Sequence, residues 1–257
     1  MKHFRIISAA LLFIVLGISG LGAQSPLKGM SLNGATGLYS IPTAKIGWER
    51  ADGSNIGLDL GYHAIISGWA VAHLPKVSVS LFKLVELHAV IDSRPGGTNF
   101  IGGAKLQLPL SKTSLGFGGN IQLLENTTVG QVYAAVTYSG VFFEMPAETT
   151  VVLGKTILEG KQNWDIDFGM GFDLLLFPKV FDGFVHWITD FANFSYSIDA
   201  FGADAGIRGV INTGLRIDLS RIPPLNKFKF SVDLMLTDAF DTNRAFSVGM
   251  VFGLPLK

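Results

Sequence analysis

Alternate residues decide what this chain can fold into. In DIDFGMGF, Ile166, Phe168, Met170 and Phe172 share one face, and Asp165, Asp167, Gly169 and Gly171 share the other. In KFKFSVDLMLTD, Phe228, Phe230, Val232, Leu234 and Leu236 oppose Lys227, Lys229, Ser231, Asp233 and Thr237. GIRGVINTGLRIDLS and NIGLDLGYH repeat the pattern, the latter with Ile56, Leu58, Leu60 and Tyr62 against Gly57, Asp59, Gly61 and His63. A period of two is that of a strand, since successive side chains leave a strand on opposite faces. Strands of soluble domains average about 5–6 residues, whereas membrane-crossing strands need about 9–11. These stretches fit the longer class.

The same template predicts strands near 54–64, 65–74, 76–92, 99–110, 113–124, 130–139, 146–155, 163–176, 193–200, 205–220, 226–238 and 244–254. That is about 12 strands, with 10–14 inside the boundary error. The long third segment is expected to bend near Lys83. Turn-forming clusters such as SRPGGTN, LEGKQN and IPPLN separate the strands. Alternation alone also fits a soluble sandwich or a lipocalin-like barrel with its apolar face inward. Three features favour an antiparallel transmembrane β-barrel with the apolar face outward. The strands are long, the polar face is rich in Gly, Ser, Asn and Thr, and aromatic residues such as Tyr62, Tyr138, Phe177, Tyr196 and Phe252 sit near strand ends. Ile166, Phe168, Met170 and Phe172 are expected to face lipid.

Composition agrees. Charged residues make up 16% of the chain, mean hydropathy is +0.40 and there are 31 glycines. Beyond the N-terminal leader no apolar run is long enough for a spanning helix. In that leader, Lys2 and Arg5 precede an apolar stretch from Ile6 to Ile18, and Gly20, Gly22 and Ala23 offer small residues for cleavage. Residues 1–23 therefore read as a signal peptide, with an uncleaved anchor as the alternative, and 24–257 as one barrel domain. Loss of Lys2 and Arg5 takes the formal charge from 0 to about −2. That balance argues against nucleic-acid binding. The chain has no cysteine.

One segment departs from the period. In FPKVFDGFVHWITDFANF, Phe181, Phe184, Ile188 and Phe191 stand at helical spacing after Pro178. This predicts either a short interfacial helix near 178–191 or a distorted hairpin carrying an aromatic belt. At the far end, AFSVGMVFGLPLK reads as the closing strand. Its ladder is expected to end near Leu254, because Pro255 cannot donate a hydrogen bond. Its partner should come from Asn55–His63 or from Thr36–Ile41. Phe252 lies short of the C-terminus, where the barrel-assembly machinery commonly reads an aromatic residue.

No catalytic constellation stands out. His63, His73, His88 and His186 are scattered, without metal-ligand spacing. Glu86, His88 and Asp92 share one strand face beside Ser78 and Ser80, which allows a Ser–His–acid hydrolase but fits a lumen-facing polar row better. No metal or cofactor is expected. The charges suggest more. Asp165, Asp167, Asp173 and Asp199 precede Arg208, Arg216, Lys227 and Lys229. If their strands are neighbours, acidic and basic faces meet inside the barrel, either as a field across a narrow pore or as salt bridges that fill a closed one.

GATGLYSIPTA followed by ADGSNIGLDLGYH resembles the N-terminal signature of the YjbH-like outer-membrane β-barrel family. The matching positions are Gly34, Thr36, Gly37, Leu38, Pro42, Thr43, Ala44, Asp52 and Gly53. Lys45 stands where that family usually has arginine. The resemblance implies an outer-membrane barrel associated with exopolysaccharide production or export. Read physically, the stretch is an extended piece that enters the lumen, pairs at a barrel edge or simply leads into the first strand. Together these features predict a narrow channel or an export or uptake component in the outer membrane of a diderm bacterium. Its partners would be outer-membrane lipid, the assembly machinery and a polysaccharide or small solute. The alternatives are a structural or adhesive surface barrel and a lipid-modifying barrel enzyme.

Overall fold

The computed structural model describes residues 28–48, 55–68, 70–125, 127–158, 165–194, 209–223, 225–241 and 244–256. Two short strands, β1 (Gly29–Met30) and β2 (Thr36–Gly37), form a small sheet of their own. Twelve longer strands follow: β3 (Ile56–Ser67), β4 (Ala70–Leu81), β5 (Val85–Arg94), β6 (Gly97–Pro109), β7 (Thr113–Leu124), β8 (Thr127–Phe142), β9 (Met145–Leu158), β10 (Asp167–Leu175), β11 (Val185–Ala192), β12 (Val210–Asp218), β13 (Lys229–Thr237) and β14 (Ala245–Leu256). Each pairs antiparallel with its sequence neighbours, and β14 returns to β3, closing the barrel. Closure leaves no unpaired sheet edge, which is what a strand structure needs in hydrocarbon.

The barrel is apolar outside and polar inside. On β14, Met250 is 51% exposed while Ser247 is wholly buried. On β10, Phe168, Met170 and Phe172 point outward and Asp167, Gly169, Gly171 and Asp173 point inward. Ile166, just before that strand, is exposed.

The structure moves several expected boundaries. The bend expected near Lys83 is a complete reversal between β4 and β5, with Phe82 and Lys83 in the left-handed region at φ 53° and 57°. The predicted segment 65–74 is accordingly no strand of its own: its start completes β3 and its end belongs to β4. No helix occupies 178–191. Phe177–Phe184 is a series of turns with positive φ at Phe177, Asp182 and Gly183, and Val185–Ala192 is β11. There His186, Ile188, Asp190 and Ala192 face inward, and ladders to β10 and β12 satisfy the backbone on both sides. An isolated interfacial helix could not supply those bonds to its neighbours, so the ladder overrides the helical spacing of the aromatics. Of the predicted strand 193–200, residues 195–200 lie outside the described residues.

At the seam, the partner of β14 is β3, with Gly249 opposite His63. The ladder runs past Leu254 to Leu256, with Pro255 opposite Gly57. β13 begins at Lys229, opposite Gly253. Beyond that point β14 has a neighbour on one side only, an edge position of the kind that tolerates proline.

Candidate functional site

The lumen is occupied by the chain itself. Residues 28–48 lie inside the barrel, nearly all of them buried. The segment makes three short antiparallel passes: Gly29 and Met30 pair with Gly37 and Thr36, and Gly37 bridges to Pro42. It bonds to itself at the turns, with Ser31 N donating to the Ala35 carbonyl at 2.8 Å and Leu38 N to that of Ile41 at 3.0 Å. Gly34 takes φ 87° at the first turn, beside Val90 of the wall. That left-handed conformation suits glycine.

The wall grips the segment mostly through its backbone. Thr36 N donates to Glu86 Oε1 at 2.7 Å, Gly47 N donates to Oε2 at 2.9 Å, and the Thr36 hydroxyl also donates to this carboxylate. On the opposite side, Asp190 Oδ2 accepts from Tyr39 N at 2.8 Å and Ser40 N at 2.6 Å, with Ile41 N at 3.4 Å. Its other oxygen accepts from Ser40 Oγ at 2.9 Å and Asn212 Nδ2 at 2.8 Å. Wall cations take the segment's carbonyls: Lys76 Nζ donates to Ser31 O at 2.7 Å and Lys105 Nζ to Thr36 O at 2.9 Å. Ala44 N donates to Thr137 Oγ1 at 2.9 Å, and Ile46 N to Gln107 Oε1 at 2.6 Å. The segment's own Lys45 pairs with Glu148 and donates to Ser139 Oγ at 2.8 Å.

Wall glycines make the room. A Cβ on Gly116 would lie 2.7 Å from Cα of Ala44, and one on Gly171 would lie 2.6 Å from Cδ1 of Leu38. Gly57 likewise faces the Trp48 side chain, and Gly61 the Met30 sulfur. Part of the glycine abundance of the chain is therefore the inner relief of the barrel.

The wall charges also pair with one another. Arg216 holds Asp233 through two bonds, Nε to Oδ1 at 2.8 Å and Nη2 to Oδ2 at 2.9 Å. Lys229 Nζ donates to Asp59 Oδ2 at 2.6 Å, and Lys105 Nζ lies 3.2 Å from Glu86 Oε1. A chain of hydrogen bonds runs from His88, whose Nε2 meets Asn120 Oδ1 at 2.8 Å, through Gln131 to Asp167.

The residues singled out in the sequence fall in several places. Asp167, Asp173, Arg216 and Lys229 are buried on the lumen face. Asp173 accepts from His186 Nδ1 at 2.7 Å and lies 3.7 Å from Arg216 Nη1, so acidic and basic strands do meet there. Lys227 is exposed in the turn Leu225–Lys227 before β13, and Asp165 is exposed before β10, so neither lines the lumen. The period of two was carried past the strand ends, where it no longer holds. Asp199, Arg208, Asp52 and Gly53 lie outside the described residues. Gly34, Thr36, Gly37, Leu38, Pro42, Thr43 and Ala44 all belong to the lumen segment. Ser78 and His88 are opposite one another on β4 and β5, but His88 is engaged by Asn120 and no hydrogen bond joins it to Ser78. Among the described residues no cluster of His, Cys, Asp and Glu is arranged to hold a metal. Sequence reading did not single out Asp190, Lys105 or Glu148. Asp190 was masked by the helical spacing around it, while Lys105 and Glu148 follow from the inward parity of β6 and β9.

The fold and this interior define a class: a twelve-stranded transmembrane β-barrel filled by its own N-terminal segment. Its barrel is similar in fold to those of porins. The chain is similar to the KdgM porin in complex with disordered oligogalacturonate, with 8% identity over 76% of this chain and 98% of that one and a TM-score of 0.54. It is also similar to the NanC porin, with 9% identity over 77% of this chain and 100% of that one and a TM-score of 0.52. These likenesses establish the porin-type barrel fold. No family model and no curated protein matches the chain.

Proposed function

We propose that this chain is an outer-membrane channel of a diderm bacterium, closed at rest by residues 28–48 and conducting when that segment shifts. The observation that carries the reading is the pairing within the wall. Arg216–Asp233, Lys229–Asp59 and Lys105–Glu86 are ion pairs between wall side chains, so each charge keeps an opposite charge when its bonds to the segment are lost. A buried charge stripped of its partner is strongly destabilising. A wall whose charges largely answer one another tolerates departure of the segment and leaves a polar, hydratable passage. The porin-type fold supports the same reading. The resemblance of the opening stretch to the YjbH-like family supports a link to surface polysaccharide, with export through a cleaved leader.

Two variants test it in planar bilayers. One lacks residues 28–48. The other, Gly116→Leu, places a side chain where the nearest atoms are all from Ala44 of the segment, at 2.7, 3.1 and 3.3 Å. Both should conduct steadily, while the full chain stays closed or opens briefly. A structural barrel that only anchors surface loops is favoured by how completely the segment fills the lumen. Folded, inserted variants that remain silent would establish that reading instead.

A further inference from the structure

The lumen charges are unevenly placed. Glu148 on β9, Asp167 and Asp173 on β10 and Asp190 on β11 all face inward and are buried. Among the described residues, β7 to β11 place no lysine or arginine on the lumen face; Lys155 has the outward parity of β9. Elsewhere the wall is close to neutral, since Glu86, Asp59 and Asp233 each have a cation of their own, Asp92 has Arg94 at 3.0 Å and Asp218 has Arg221 at 3.3 Å. The further wall cation is Lys76, and Arg216 leans toward Asp173 from 3.7 Å. His186 also faces Asp173, while His63 and His88 lie on the other side, on β3 and β5.

The segment answers this surplus with positive groups. One of its ammonium groups, that of Lys45, goes to Glu148, and three consecutive N–H groups and a hydroxyl go to Asp190. Three successive N–H groups form an anion-binding concavity. Once the segment leaves, both carboxylates lose those donors and face a hydrated lumen, where their negative charge attracts cations.

We infer that the opened lumen is selective for cations, and that what passes through it is cationic or neutral rather than an acidic polymer. A one-sided set of carboxylates in a narrow pore with low-dielectric walls concentrates cations and excludes anions. This inference rests on the channel reading above and adds its solute class.

The test is the zero-current potential of the unplugged variants across a KCl gradient, after gel migration with and without boiling has shown the barrel to be folded. The expected sign is that of potassium, with a permeability ratio over chloride several-fold above unity. Glu148→Gln with Asp190→Asn in the same background should move the ratio toward chloride. The brief openings of the full chain supply an independent reading of the same sign. A conducting pore that favours chloride, or whose selectivity ignores the double substitution, overturns the inference and leaves the channel intact. A folded and inserted barrel that never conducts overturns both.

Discussion

The wall and the segment inside it are both extended chain, but different forces hold them. Each wall strand has a neighbour on both sides, and lipid solvates its outer face. The segment is joined to itself by β1–β2, one bridge and a few turn bonds, and is held to the wall by separate polar anchors, among them Glu86, Asp190, Glu148, Lys76 and Lys105. A hydrogen bond to a charged group contributes about 1.5–3 kcal/mol, so a few anchors hold the segment firmly without making it part of the ladder. The lesson is that the contacts closing the barrel and those filling its lumen are of different kinds.

Substitutions can be chosen to strike one and spare the other. Met170→Arg puts a charge on the lipid face, opposite Val151 in the middle of β9. It should cost the barrel about 2–4 kcal/mol in denaturant unfolding without opening the passage. An unchanged midpoint would show that Met170 is not lipid-facing. Asp190→Ala leaves the lipid face untouched and releases three N–H groups of the segment at once. It should weaken retention of the segment by about 1–3 kcal/mol, seen as longer channel openings at nearly constant barrel stability. If the unfolding midpoint falls as far as for Met170→Arg, segment and wall form one cooperative unit. Ser40→Ala removes one hydroxyl from the same carboxylate and keeps the N–H groups, so its effect on opening should be about 0.5–1.5 kcal/mol. An effect as large as that of Asp190→Ala would assign the latch to the hydroxyl.

The period of two made the wall legible from sequence. It gave the strand number, the outward faces of β10, β13 and β14, and Asn55–His63 as one of two candidate partners for the last strand. It failed where local signals misled. Phe82 and Lys83 carry a reversal in left-handed conformations that bulky residues rarely adopt, so the sequence marked a bend there but not a complete turn. Phe181, Phe184, Ile188 and Phe191 stand at helical spacing, but the residues from Val185 onward pair as a strand. Arg216, Lys229, Asp167 and Asp173 could be placed on the lumen face by parity. Their partners could not, because Asp190 meets Tyr39–Ile41 across most of the chain length, and no periodicity encodes such a contact. The filling of the lumen was legible only as one of three readings of the opening stretch, that of an extended piece entering the lumen.

The position of the segment in the chain bears on how the molecule comes together. Residues 28–48 shortly precede β3, the strand that makes the seam with β14. Gly57 and Gly61, both on β3, receive Trp48 and Met30. The segment is thus tethered to the strand that makes the seam, and its contacts with β3 need no other strand in place. An order in which the remaining wall is laid around that interior, as staves are raised around a former, would make the final join the step that seals the contents in. A chain lacking the segment would have to make that join around water, so its slowest event should be the meeting of the first and last strands.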